Sequence, residues 1–464
     1  MKRRLNQPAR KKAAPPRPIA AHSAPFDLVQ IEKPVYGGAF LARVEGKALF
    51  VPLALPGEQV RVRIAENKRG YATAEAEEIV TSAPQRVAPV CRHFGACGGC
   101  HYQHAGYAAQ LQFKQAILRE TLERAGVRAP QEIAVLSGEP WAYRNRIRVA
   151  FDGAGSPGYR GRRSHSVIPI AECPIAAPLL VRAAQGAAEI LRQPPFGQMP
   201  TEVSLFCDAA ETALLVSVFT RGAAKDAFQD FARALKERVP ALRGAELVAA
   251  GSPGQPPRAI SQWGATFLTC RAAGFDFRVD HGAFFQINRW LVDALVESVT
   301  AGRSGALAWD LFAGVGLFAR RLAEGFARVV AVESAPAAAA ALEQNLSGTG
   351  STAVTATTLE FLRRNRPPRR AERPDLIVAD PPRTGLGAEA CKLLGEIAAP
   401  SLVYVSCDPA TLARDLRALL GSGYVIQNLA LADLFPHTFH IEAVAELRRL
   451  RLRAQNSRAG DPFS

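Results

Sequence analysis

No run of eighteen consecutive apolar residues occurs in this sequence, so no segment reads as a membrane-spanning helix. A secretory-signal pattern is missing too, and eight cysteines in 464 residues do not look like a disulfide framework. Internal repeats are absent, which sets aside solenoids and propellers. No acidic residue precedes Asp27, whereas seven Lys or Arg do, among five prolines that would spoil an amphipathic helix. Residues 1–25 therefore read as a disordered basic arm with non-specific affinity for phosphates. The expected compartment is the cytoplasm.

What is present is a globular composition, 48% hydrophobic and 21% charged, in a chain too long for one ordinary core. The net charge of +15 points to a polyanionic partner, most often nucleic acid. Residues 26–84 alternate in short strands separated by Gly turns, the pattern of a small β-barrel, with Lys68, Arg69 and Tyr71 suited to RNA. A helix is expected over 105–126, with Leu111, Ile117, Leu118 and Leu122 near one face and Gly126 as its stop. Residues 85–280 read as a mixed α+β central domain, with basic strand residues in Tyr143–Phe151. From 281 to 464 strands alternate with helices, which implies a parallel, doubly wound α/β domain.

The stretch "CRHFGACGGC" places Cys91, Cys97 and Cys100 in a C-x5-C-x2-C array too short and Gly-rich to be core. Thiolates this close repel one another unless a cation binds them, and zinc and an iron–sulfur cluster are the candidates. Cys173, in a Cys-Pro turn, is the best fourth ligand, and His93, His101 and His104 keep zinc open. Cys207, Cys270 and Cys391 lie in apolar or helical runs and read as core.

Within the α/β domain, "GALAWDLFAGVGLFARRLAEG" is a strand, a Gly-rich turn at Gly314 and Gly316, and a helix. The next strand ends in Glu333, placed to accept hydrogen bonds from a ribose. This much fits either a dinucleotide or S-adenosylmethionine (SAM). The strand "PDLIVADPPR" then ends in Asp380 and two prolines that fix a rigid turn, an arrangement typical of SAM-dependent base methyltransferases. Arg383 stands where amine-methylating enzymes usually carry an aromatic residue, which argues against amine chemistry. Finally "LVYVSCDPATLARDL" places Cys407 at a strand end, and Pro409 stops the strand.

With "DPPR", "SCDPATLARDL" and "LFPHTFHIEAVAEL" in this order, the chain resembles the uracil-C5 RNA methyltransferases, and in particular the bacterial 23S ribosomal RNA 5-methyluridine branch. The resemblance covers nearly everything after residue 25. It implies a SAM-dependent Rossmann-like methyltransferase domain, an N-terminal TRAM (OB-like) barrel, and a [4Fe–4S] cluster on Cys91, Cys97, Cys100 and Cys173. By position, Gln286, Phe312, Glu333 and Asp380 are similar to the family's SAM-contacting residues. Cys407 matches its nucleophile and Glu442 its base, with His437 or His440 as possible aids to proton handling. Leu317 departs from the family, standing where some members carry Asn beside the cofactor. The implied partner is RNA, 23S rRNA first, and the implied state is a monomer. The transfer-RNA branch lacks barrel and cluster and fits less well. A cytosine-C5 or amine methyltransferase and a non-catalytic iron–sulfur RNA-binding protein are the competing readings.

Overall fold

Alternation, clearest in β4, shapes the first described segment. The computed structural model describes residues 27–192, 200–220, 225–249, 251, 257–366 and 372–450, so the basic arm expected at 1–25 lies outside the described residues. Strands β1 (Asp27–Val35), β2 (Ala39–Val44), β3 (Lys47–Pro52), β4 (Gln59–Asn67) and β5 (Tyr71–Thr81) close into a barrel in the order β1-β2-β3-β5-β4. In β4 the pattern "QVRVRI" turns Val60 and Val62 inward and Arg61 and Arg63 outward. Ile31, Phe40, Leu49 and Val51 complete the interior. Pairing of β1 with β4 leaves no free edge.

Beyond the barrel, helix α1 (Tyr107–Arg124) stops at Gly126, whose φ of +77° suits glycine. Ile117, Leu118 and Leu122 bury one face of α1 in the core of the catalytic layer. The next strand, β6 (Ala134–Leu136), pairs parallel with the edge of the catalytic sheet. Both elements thus lie within residues 85–280 in sequence but pack as part of the C-terminal layer in space.

The central sheet is built from β7 (Arg146–Phe151), β8 (Pro157–Arg160), β9 (Val167–Pro169), β10 (Glu202–Cys207), β11 (Leu214–Thr220), β12 (Leu242–Ala249) and β13 (Arg258–Gly264), in the order β13-β12-β11-β10-β7-β8-β9. Helices α2 (Pro178–Leu191) and α3 (Lys225–Arg238) cover one face. Alternation along β7 puts Ile147 and Val149 under those helices and Arg146 and Arg148 on the other side. A hairpin of β14 (Phe267–Ala272) and β15 (Phe275–Asp280) inserts Leu268, Cys270, Phe277 and Val279 into the catalytic core.

The C-terminal layer runs α4 (Val292–Thr300), β16 (Gly305–Leu311), α5 (Leu317–Leu322), β17 (Phe326–Glu333), α6 (Pro336–Asn345), β18 (Thr352–Thr355), α7 (Thr358–Asn365), β19 (Leu376–Ala379), α8 (Gly387–Ile397), β20 (Ser401–Ser406), α9 (Pro409–Gly421), β21 (Tyr424–Ala432) and β22 (Glu442–Arg449). Its sheet order is β18-β17-β16-β19-β20-β22-β21-β6, with β16 to β20 parallel and β22 antiparallel to β20. The central stretches of β16, β17, β19 and β20 are mostly apolar and buried, as coverage of both faces requires. Strand order reverses between β16 and β19, and open α/β sheets bind ligands at such a switch point, beyond the carboxyl ends of the strands. Among the described residues, no helix is long and apolar enough to cross a membrane.

Candidate active site

At the end of β16 the chain must turn away from the sheet at once. Phe312, Gly314 and Gly316 all take positive φ, of 61°, 56° and 93°. Two glycines make that inexpensive; for Phe312 it stores strain, as turns at functional sites often do. Gly316 caps α5, and a Cβ there would come within 2.7 Å of the Leu342 side chain. Glu333 ties the turn to β17: its Oε2 accepts the Gly314 N–H at 2.9 Å, and its Oε1 accepts those of Ser334 and Ala335 at 2.7 and 2.6 Å. Leu317 is buried in the core, so it presents no polar group to a ligand. Gln286 is buried nearby in the chain path, its carbonyl accepting from Asn145 at 2.9 Å, while Asn288 donates to the Leu434 carbonyl at 3.2 Å. The "FFQIN" segment is thereby fastened to the loop that precedes β22.

Two carboxyls sit at the switch point itself. Asp380, after β19, is pushed up to about 7 by burial. Asp310, wholly buried in β16, is pushed up to about 8, by burial first and then by the charges of Asp380 and Glu333. One Asp310 oxygen accepts the Ala319 N–H at 2.9 Å and the other is buried with no partner. A buried orphan acceptor beside a turn marks a ligand site. The only sequence signal for it was a carboxylate inside the apolar strand "ALAWDL".

Cys407 leaves β20 at the same edge, and Glu442 opens β22. Because β22 runs antiparallel to β20, its first residue lies where the last residues of β20 end. The register pairs Ser406 with Ala443, and Cys407 and Glu442 are the next residues beyond that last pair. The Cys407 thiol is pushed up to about 12 by burial and by the Glu442 and Asp380 charges, against a lowering from Arg383. Burial and the Asp380 charge likewise hold Glu442 well above the usual carboxylate range, again against Arg383. Helix α9 does begin beside Cys407, but Asp408 occupies its cap, Oδ1 taking the Ala410 and Thr411 N–H groups at 3.0 and 2.9 Å. The helix terminus therefore does not make this thiol acidic; desolvation and two carboxylates outweigh it.

Burial pushes down both histidines that precede Glu442. His440 is pushed down to about 3 by burial and then by Arg383, and its neutral Nδ1 faces an Arg383 guanidinium nitrogen at 3.3 Å. His437, down to about 4 by burial, takes positive φ and stacks on Trp141 at 4.0 Å. Gln110 of α1 clamps it, accepting its N–H at 2.9 Å and contacting Nδ1 at 3.1 Å. The His437 carbonyl accepts the N–H groups of His101 and Tyr102 at 2.7 and 3.0 Å. One helical turn along α1, the buried Lys114 pairs with the buried Asp433 and donates to the Phe435 carbonyl at 2.9 Å, and Tyr107 donates to Asp433 at 2.9 Å. The loop that delivers Glu442 is thus held by a helix some three hundred positions earlier in the chain.

The cysteine array docks on the β8–β9 side of the central sheet, where Gly98 N–H donates to the Arg160 carbonyl at 3.0 Å. Cys91, Cys97, Cys100 and Cys173 are free thiols that line one cavity of about 1190 Å³. Cys97 feels the charges of both Cys173 and Cys91. Among the described residues, no three His, Cys, Asp or Glu side chains converge to hold a metal ion. The same cavity is lined by Arg144, Arg146, Arg148, Arg160, Arg162 and Arg163, but by neither Cys407 nor Glu442. Arg146 lies over Phe206 at 4.4 Å, and its Nε is buried with no partner. Cys207, Cys270 and Cys391 are buried in apolar clusters.

Comparison with known proteins agrees with this geometry. The family model described as tRNA (Uracil-5-)-methyltransferase matches residues 106–450, and the TRAM domain model matches residues 28–76. A relative from Halomonas elongata named 23S rRNA (uracil(1939)-C(5))-methyltransferase RlmD is 34% identical over 433 residues, 88% of this chain and 86% of its own. An RNA methyltransferase of Streptomyces avermitilis is 33% identical over 444 residues, 90% of this chain and 97% of its own. The crystal structure of the Pyrococcus abyssi tRNA (uracil-54, C5)-methyltransferase in complex with S-adenosyl-L-homocysteine superposes with a TM-score of 0.72 at 25% identity, covering 91% of this chain and all of that one. The strand order of the C-terminal layer, the ligand turn at its switch point and these whole-length matches lead to one conclusion: the chain belongs to the tRNA (uracil-5-)-methyltransferase family and carries an N-terminal TRAM domain.

Proposed function

We propose that this RNA uracil-C5 methyltransferase acts on 23S rRNA, with Cys407 as nucleophile and Glu442 as base. The observation that supports the assignment of roles is the Ser406–Ala443 pairing that ends the β20–β22 register, together with the Glu442 charge felt by the Cys407 thiol. C5 of uracil is too weak a nucleophile to be alkylated unaided. Addition of the Cys407 thiolate to C6 forms a C–S bond and moves an electron pair onto the C5–C4–O4 enolate. SAM, when bound, would supply an electrophilic methyl group to C5, its sulfonium S–C bond breaking to leave S-adenosylhomocysteine. The Glu442 carboxylate then removes the proton left on C5, and the electron pair expels the thiolate, restoring the C5–C6 double bond. Glu333, Asp380, Phe312 and Gln286 are the residues to hold SAM, with Asp310 added by its orphan oxygen. Because Glu442 is buried and Cys407 half-buried, the uridine must be unstacked to reach them.

Burial and the Glu442 and Asp380 charges push the Cys407 thiol up, and Arg383 is the side chain that lowers it toward the thiolate. The arginine-lined cavity beside the cysteine array gives flanking RNA a phosphate-binding path, consistent with the +15 charge. The four cysteines suit a [4Fe–4S] cluster better than zinc. In such a cluster each thiolate binds its own iron, so the sulfurs must ring a space rather than converge on a point. Iron and acid-labile sulfide assays on anaerobically purified protein test this, and Cys97→Ala should lose both and lower solubility before specific activity. The acting form on this reading is a cytoplasmic monomer.

The deciding experiment uses 5-fluorouridine RNA, in which C5 carries no removable proton. Wild-type enzyme should be trapped as a covalent adduct through Cys407, and Cys407→Ala should form none and transfer no methyl. Full activity in Cys407→Ala would end the proposal. The Pyrococcus match spans the barrel as well, so chain length does not separate rRNA from tRNA as substrate. Mass-resolved mapping of 5-methyluridine in both RNAs after gene deletion does; loss from tRNA alone would reassign the substrate.

A further inference from the structure

The N-terminal barrel reaches further into the catalytic layer than an RNA clamp requires. Tyr36 follows β1 in the turn "VYGGAF", and Gly37 and Gly38 after it take φ of 103° and 85°. A Cβ on Gly38 would lie 2.8 Å from the His101 ring, so the turn is pressed against the cysteine-bearing loop. From there the Tyr36 hydroxyl donates to Asp408 Oδ2 at 3.1 Å, across 372 positions of sequence. Asp408 directly follows Cys407, and its other oxygen caps α9. The Tyr36 ring meets Phe439 edge-on at 5.5 Å, and Phe439 in turn packs on His440 at 4.4 Å. The barrel is held in this pose by the Lys33–Glu120 ion pair to α1 at 2.8 Å and by Phe40 packing on Phe113 at 5.5 Å.

We infer that the barrel completes the active site, with Tyr36 as a positioning residue that sets the Cys407 turn through Asp408. The physical reason is accounting of the Asp408 carboxylate. Oδ1 is satisfied by two helix N–H groups, and Oδ2, on the residue directly after the nucleophile, has Tyr36 as its side-chain donor. Without that donor the carboxylate is free to rotate off the cap, and the Cys407 backbone loses one of its restraints. Burial and the Asp408 and Cys407 charges keep the phenol protonated, so it acts as a donor at any working pH.

The inference rests on Cys407 being the nucleophile, and the test separates the two. Single-turnover adduct formation with saturating 5-fluorouridine RNA is measured for wild type, Tyr36→Phe, Asp408→Ser and the double variant. Tyr36→Phe keeps the ring contact with Phe439, and Asp408→Ser keeps a helix cap while removing Oδ2. Tyr36→Phe should slow adduct formation roughly 10- to 100-fold, as small misplacements of reacting groups do, with the RNA dissociation constant changed less than about twofold. In the Asp408→Ser background the Tyr36→Phe loss should vanish. An unchanged rate in Tyr36→Phe, a loss seen only in RNA affinity, or an equal loss in both backgrounds would each overturn the inference. A wild type that forms no adduct at all would instead sink the nucleophile assignment, and this inference with it.

Discussion

Cys407 and Glu442 share one environment, and it opposes charge on both. As the proposed base, Glu442 would act as carboxylate, a form that exists only above its raised pKa. Single-turnover rate should therefore rise with pH through a limb well above the ordinary carboxylate range. Arg383 now lowers both groups, so Arg383→Gln should move that limb to higher pH. A pH–rate profile with its limb left near the usual glutamate value would contradict the burial argument. The same carboxyls bear on stability with a fixed sign. Asp310 and Asp380 are raised from 3.8 to about 8 and about 7 in the folded chain. The stability they contribute is complete below the unfolded value and drains away as pH climbs through those folded values. Urea unfolding at several pH values from 4 to 9 should show this decline, and Asp310→Asn should flatten it.

At the scale of elements, α1 carries two messages on two faces. Its apolar face, with Ile117, Leu118 and Leu122, was legible from spacing alone, because a helix must bury such a stripe. Its polar face was not. Tyr107, Gln110 and Lys114 recur at helical spacing, yet their partners Asp433 and His437 lie beyond any local pattern. Lys114→Met leaves Asp433 buried without its counter-charge and should cost about 3–5 kcal/mol of stability. The double variant Lys114→Met/Asp433→Leu should recover much of this in a double-mutant cycle followed by urea unfolding. A second element-scale test concerns the ligand turn. Gly316→Ala places a side chain at φ +93° and against Leu342, which should cost about 1–2 kcal/mol and weaken S-adenosylhomocysteine binding in calorimetry.

Across the whole molecule, the charge is put to use where three layers meet. The cavity shared by the barrel, the cysteine array and the open face of the central sheet gathers arginines from β7 and from the β8–β9 hairpin. Arg146 is the telling one: it has no carboxylate partner among the described residues, and its half-buried guanidinium keeps a buried Nε without a partner, which is costly. If it serves an RNA phosphate, Arg146→Met should lower the slope of log affinity against log salt by about 1. It should also leave the fold as stable or more so, since a desolvated charge is removed. RNA binding across a salt series, with thermal melts of the two proteins, checks both.

The sequence by itself determined whatever depends on neighbours along the chain. Alternation wrote the barrel, the strand–helix repeat wrote the doubly wound layer, the Gly314–Gly316 turn and Asp380-Pro381-Pro382 wrote the ligand edge, and "SCDPATLARDL" singled out Cys407. These signals are local because backbone sterics and side-chain period act over a few residues. Only the tertiary structure decided what faces what. It took the antiparallel return of β22 to bring Glu442 to the end of β20 that Cys407 follows. Packing, not pattern, added β6 to the edge of the catalytic sheet and buried Lys114 against Asp433. Docking of the barrel on α1 brought Tyr36 to Asp408. Those contacts join residues from 35 to some 370 positions apart, and the burial that favours them exists only once the layers have closed.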